Sequence, residues 1–232
     1  MLFRSDVVWK GQDEKMTHAT PVVATILGVR QVIFFTQSGL VSLATASGEP
    51  LWRYKFKYAV STAASPVVAG DIVYCSAGYG VGSGAVRIAK QGSEWTSTEL
   101  WRSSGNAICN HWSTPVYHKG YLYGMFSFKQ YGSGPMKCVE LATGKEMWAM
   151  AGYGPGNVII ADDTIVALSD AGMITLVEPN PQAYKEIARV KAVDGKCWST
   201  PIVSDGKIYA RSAKEGVCLD VKPKSQVASI SR

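Results

Sequence analysis

Long apolar runs are missing from this chain. No stretch of its 232 residues approaches the roughly 18 consecutive apolar residues of a membrane helix. Residues 1–10 carry no apolar run of the kind a secretory leader has. Charge is also scarce: 18% of residues are charged, against about 25% in ordinary soluble domains. The 47% apolar content lets the chain bury a large core. The net charge is +6, but the cations are scattered, with Lys55/Lys57 and Lys222/Lys224 the densest pairs. A nucleic-acid partner is not expected from that distribution. The five cysteines include no CxxC step and no adjacent pair, which excludes the usual zinc spacings and argues against a disulfide framework. Patterns for hydrolysis are absent as well: no HExxH, no calcium-loop motif, no defensible Ser/His/Asp order and no facing carboxylate pair. The glycine-rich run Gly78-Tyr79-Gly80-Val81-Gly82-Ser83-Gly84 leads into a strand rather than a helix, so it fails as a dinucleotide fingerprint.

What the chain does have is a repeat. His111-Trp112-Ser113-Thr114-Pro115-Val116 returns as Cys197-Trp198-Ser199-Thr200-Pro201-Ile202, and in shorter form at Thr20-Pro21-Val22 and Ser65-Pro66-Val67. The prolines step by 45 and 49 residues and then by 86, twice 43. A second marker sits at the other end of each unit, where Trp52, Trp101 and Trp148 step by 49 and 47. Units of about 40–50 residues holding several short strands indicate an all-β fold, a β-propeller of four-stranded antiparallel blades.

The chain then reads as one domain, 1–232, with blades at roughly 18–55, 61–103, 111–151, 156–191 and 197–221. Each blade begins at a proline or its substitute (Pro21, Pro66, Pro115, Gly156, Pro201) and carries β-branched or aromatic runs bounded by Gly, Ser or Pro. The fifth stops after three strands. Asp6-Val7-Val8-Trp9 resembles a last strand, and by completing the fifth blade it would leave no open edge. Long connections are expected at 77–84 and 128–135. Cys138 and Cys218 occupy matching repeat positions and read as small buried hydrophobes. Asp162-Asp163, Asp194-Gly195 and Asp205-Gly206 read as tight turns. Trp148→Ala is expected to cost about 3–5 kcal/mol, and a solvent-exposed Trp95, outside the period, much less.

In a propeller, the connections into each inner strand and those between second and third strands emerge on one face, around the central channel. That face gathers His18, Asn110, His111, Trp112, Lys196 and Trp198, with Tyr79 and Tyr131 brought over it by the two long connections. Loops on a rigid scaffold are where binding resides. Aromatic rings beside imidazole, amide and ammonium groups suit a sugar, an aromatic ring or an anionic group. Each residue also has a plain role: Trp112 and Trp198 as packing between blades, His111 as a partner for a neighbouring backbone group, and the glycine-rich loop as a turn.

The Ser/Thr-Pro-Val starts together with Leu141-Ala142-Thr143-Gly144-Lys145-Glu146-Met147-Trp148 resemble the PQQ-like, or quinoprotein-like, β-propeller repeat family. There the Thr-Gly…Trp segment is a tryptophan-docking motif, each Trp packing on the next blade. Ala46-Ser47-Gly48…Trp52 matches with Ser for Thr, Trp101 matches in part, and the fourth unit lacks the motif. The resemblance implies an exported, extracytoplasmic protein. It also implies more blades than five, so two readings stand: a closed five-bladed ring, or the C-terminal part of a seven- or eight-bladed propeller, the second being favoured. Dehydrogenases of the family hold pyrroloquinoline quinone (PQQ) over a vicinal disulfide, with calcium on Glu and Asn and a catalytic Asp. This chain has no Cys-Cys step, so neither PQQ nor calcium, nor any catalytic or metal-ligating residue, is expected. The expectation is a non-catalytic scaffold, a monomer or part of a larger propeller, that holds a protein partner or a small polar ligand at the channel mouth. The alternative is a PQQ- and calcium-dependent dehydrogenase acting on alcohols or sugars.

Overall fold

The computed structural model describes residues 6–15 and 17–221. They form nineteen strands in five antiparallel sheets, each a simple meander in chain order. The first sheet holds β1 (Val22–Ile26), β2 (Val29–Thr36), β3 (Gly39–Ala44) and β4 (Pro50–Lys55). The second holds β5 (Val67–Ala69), β6 (Ile72–Ala77), β7 (Gly82–Gln91) and β8 (Glu94–Ser103). The third holds β9 (Val116–His118), β10 (Tyr121–Met125), β11 (Met136–Glu140) and β12 (Glu146–Met150). The fourth holds β13 (Asn157–Ala161), β14 (Thr164–Leu168), β15 (Met173–Glu178) and β16 (Lys185–Lys191). The fifth has three strands, β17 (Ile202–Ser204), β18 (Lys207–Arg211) and β19 (Gly216–Asp220). Among the described residues no helix is long and apolar enough to cross a membrane, which says nothing of crossing by strands.

Local chemistry accounts for these meanders. The first hairpin of four sheets closes through two residues at positive φ: Leu27-Gly28, Lys119-Gly120, Asp162-Asp163 and Asp205-Gly206. Such two-residue turns match the right-handed twist of the strands. A bulge interrupts the pairing of third and fourth strands at the same place in all four complete sheets, at Ser42/Leu43, Ala85/Val86, Cys138/Val139 and Leu176/Val177. It adds twist where one sheet must lie over the next.

Four apolar clusters join consecutive sheets, one at each junction from the first to the fifth. Among the described residues none joins the fifth sheet to the first. Indoles add to three contacts. Trp9 donates through Nε1 to Thr45 O (2.9 Å), Trp101 to Leu141 O (2.7 Å) and Trp148 to Asn180 O (2.8 Å). Gly48 and Gly144 lie flat against the first two of these rings: a Cβ on either would come within 2.7 Å of ring carbon.

Three expectations of strand, loop and side-chain placement change. Asp6–Trp9 is not a paired strand; Val7 and Val8 are exposed and the segment runs unpaired. Trp9 is tied to Thr45 of the first sheet, and the fifth sheet has three strands, so this segment does not complete it by pairing with β19. The connection at 77–84 is a short turn, because Gly82 and Gly84 belong to β7 and pair with Ala77 and Cys75. Glycine is required at position 82, where a Cβ would lie 1.9 Å from Ser103 O. Trp95 is partly buried: β7 and β8 form a hairpin of two ten-residue strands in which it pairs with Lys90 and packs on the first cluster. The Lys222/Lys224 pair lies outside the described residues.

Cys75, Cys109, Cys138 and Cys197 are buried, whereas Cys218 is exposed, which departs from its expected burial. Burial pushes the thiols of Cys109 and Cys138 up to about 11, and raises Cys75 and Cys197 as well. Thiolate is the reactive form. Ellman's reagent at neutral pH should therefore titrate one thiol in the folded protein and five after denaturation. Rapid release of two or more from the folded protein would contradict this packing.

Candidate functional site

In each meander the turns between second and third strands lie at the same end as the segments leading into the first strands. At that end five rings form a continuous array. Tyr79 meets Phe128 (centroids 4.6 Å apart) and the edge of His111 (5.1 Å), and His111 meets Phe128 (5.3 Å) and Trp112 (4.9 Å). Trp112 then faces Trp198 at 6.1 Å and 51°. Two ammonium groups lie over its ends, Lys129 Nζ 4.9 Å from the Tyr79 ring and Lys196 Nζ 5.6 Å from the Trp198 ring. Such placements add cation–π attraction. Beside the tryptophans opens a cleft of about 460 Å³ lined by Ala63, Trp112, Tyr131, Asn157, Trp198 and Thr200. Trp198 and Tyr131 are each 52% exposed, unusual for residues that normally lend their area to a core.

The backbone beneath the array is rigidly tied. His111 O accepts from Ala63 N (2.8 Å), Ala64 N (3.1 Å) and Thr62 Oγ1 (2.9 Å), joining the second unit to the third. Trp112 Nε1 donates to Pro155 O (3.1 Å), and Asn157 Nδ2 to Trp198 O (3.0 Å), joining the third to the fourth and the fourth to the fifth. The buried Asp170 carboxylate accepts from Gly132 N (2.9 Å) and so holds the loop that carries Lys129 and Tyr131.

The imidazole of His111 is half-buried and its Nδ1 has no hydrogen-bond partner. Burial, helped by the Lys129 charge, lowers its pKa, so the ring is neutral at pH 7. Gly78 lets the turn pass over it: a Cβ there would sit 2.7 Å from Nδ1.

The structure thus brings together His111, Trp112, Tyr79, Tyr131, Lys196 and Trp198. It separates the other two candidates. Asn110 is fully buried, its Oδ1 accepting from Tyr74 OH (2.6 Å) and its Nδ2 donating to Met125 O (3.0 Å), so its amide is committed to the core. His18 is exposed and linked to the second unit through its backbone N–H to Thr62 O (2.9 Å), outside the ring array. Phe128, Lys129, Asn157 and Asp170 were not foreseen. Only Phe128 and Lys129 carried a signal, being in a connection already expected over the rim.

The donor set does not fit a quinone–calcium centre. No two cysteines adjoin, all five are free, and no group of three or more His, Cys, Asp or Glu converges among the described residues. His111 has no acidic or nucleophilic partner to make a general-base pair.

Four four-stranded meanders and a three-stranded fifth, joined sheet to sheet by apolar clusters, form a β-propeller, and its repeats are PQQ-like. The family model described as outer membrane protein assembly factor BamB matches residues 5–125, and the chain belongs to that family. No curated protein is significantly similar to it in sequence. Among solved structures it is similar to BamB from Moraxella catarrhalis, with 16% identity and a TM-score of 0.62 over 93% of this chain and 61% of that one. It is also similar to a europium-containing methanol dehydrogenase (14% identity, TM-score 0.56, 78% of this chain and 50% of that). A third relative is the quinohemoprotein alcohol dehydrogenase from Comamonas testosteroni (13% identity, TM-score 0.52, 78% and 42%). At these identities the likeness is one of fold, and the chain spans about 61% of the BamB length.

Proposed function

We propose that this protein is a non-catalytic, extracytoplasmic propeller that serves outer-membrane-protein assembly by holding a partner protein at its ring-lined rim. The observation that carries the reading is the cleft between Trp112, Trp198 and Tyr131: large aromatic surface left open on a tightly hydrogen-bonded base, with no reacting groups beside it. Exposed aromatic anchors on a rigid scaffold are the usual centre of a protein-binding surface. The family's description supplies the process. Quinone-dependent oxidation is the second reading, favoured by the two dehydrogenase neighbours but opposed by the donor set.

Complementation tests the first reading. In cells lacking the native copy, the Trp198→Ala/Tyr131→Ala variant should fold normally yet fail to restore outer-membrane-protein levels. Each truncation should weaken partner binding about 5- to 30-fold, the ordinary effect of removing a central aromatic. Full complementation by that variant would refute the rim as the working surface. Saturable uptake of PQQ and calcium with dye reduction would instead establish the enzyme.

A further inference from the structure

A second opening lies on the same rim, at the first sheet, and its chemistry differs. It is a cleft of about 540 Å³ lined by Lys15, Gln37, Ser38, Lys55, Lys57 and Tyr58. Three lysines border it, and none forms an ion pair among the described residues. The carboxylate next in sequence, Glu14, is paired with Arg53 and held below the usual carboxylate range chiefly by that contact. Arg102 adds a further cation behind the cleft, donating to Lys55 O while its charge is shared with Glu99. Like charges repel one another, and the nearest carboxylate, Glu14, is spent on Arg53 with a further hydrogen bond to Ser38 in the cleft wall. In the wall stands Tyr58, whose hydroxyl is enclosed beside that of Thr17, which donates to Phe35 O at 2.7 Å.

We propose that this cleft binds a phosphate monoester carried on a larger polar body. Against three ammonium groups a dianion neutralises most of the charge, where a single carboxylate would leave most of it unmatched. Lysine can serve a phosphate as a point charge with three donors. The cleft far exceeds the volume of one phosphate, so the ester's remaining part would lie against Gln37 and Ser38. This site is independent of the ring array and does not rest on the assembly reading.

Calorimetric titration of the full chain with inorganic phosphate and with glycerol 3-phosphate tests the idea. The wild type should bind both saturably, glycerol 3-phosphate more tightly, and binding should weaken as salt rises. Lys55→Gln/Lys57→Gln should lower the affinity about tenfold or more. Lys119→Gln/Lys145→Gln, which removes equal charge from the opposite rim, should leave it within about twofold. Flotation with phosphatidic acid vesicles separates the sources of the ester. Co-flotation of the wild type but not of the Lys55/Lys57 variant identifies a lipid headgroup; glycerol 3-phosphate binding without flotation identifies a soluble ester. No saturable binding by the wild type, or equal losses in the two double variants, would overturn the proposal.

Discussion

Trp52→Ala is expected to destabilise the protein by about 3–5 kcal/mol, the range for deleting a buried large aromatic. Trp52 is 4% exposed within the cluster that joins the first two sheets. Its Nε1 donates to Gln31 Oε1 (2.6 Å), which also accepts from Ser42 Oγ (2.6 Å). Truncation leaves a cavity and removes one of two donors from an amide that no solvent reaches. For a chain of this size the melting temperature should fall by about 6–20 °C. Trp52→Phe, which keeps most of the packing and loses the indole N–H, should fall between the two. A loss below about 1 kcal/mol for Trp52→Ala would mean that this junction does not hold the sheets together.

Gly144→Ala should cost about 2–5 kcal/mol, far more than one methyl group suggests. Residue 144 has φ +73°, which disfavours any L side chain by about 1–2 kcal/mol. The added Cβ would also lie 2.7 Å from the Trp101 ring, forcing the indole off its hydrogen bond to Leu141 O, and overpacking of that kind costs about 1–3 kcal/mol. Gly92→Ala supplies the control. That glycine closes the long hairpin of the neighbouring sheet at φ +59° with open space around it, so only the backbone penalty applies. Denaturant unfolding of both variants isolates the indole contact. Equal costs would show that the ring contributes nothing between the second and third sheets.

Sequence spacing made the scaffold legible because a propeller repeats its chemistry. Pro21, Pro66, Pro115 and Pro201 each stand just before a first strand, and Trp52, Trp101 and Trp148 each lie in a fourth. The fourth unit was harder, since Gly156 replaces the proline and Lys185–Lys191 is exposed along its length. The bulges left no signal at all: the extra residue at Cys138/Val139 is a matter of pairing, not composition. Asp6–Trp9 misled because a Trp that closes a strand and a Trp that only leans on the next sheet read alike.

The candidate site was legible by position and not by state. Repeat arithmetic could place Asn110 beside His111, but only the structure shows the amide spent on Tyr74 and Met125 while the imidazole stays unpartnered. Phe128 joins the rings because its loop folds back under Asp170, a long-range hydrogen bond that no local pattern announces. Lys55 and Lys57 were visible as a pair; Lys15 joins them only when Gln37 N–H bonds to Lys15 O (3.1 Å) and draws the leading segment to the rim.

Site-specific photocrosslinking in living cells bears most directly on the central claim, that the ring-lined rim is the surface at which a partner is held. A photoreactive residue placed at Tyr131 or at Trp198 should give discrete adducts with a component of the outer-membrane-protein assembly machinery. The same residue placed at Glu49 or at Lys145, in turns at the opposite end of the sheets, should give none. Adducts from Glu49 and Lys145 with silence at Tyr131 and Trp198 would contradict the account.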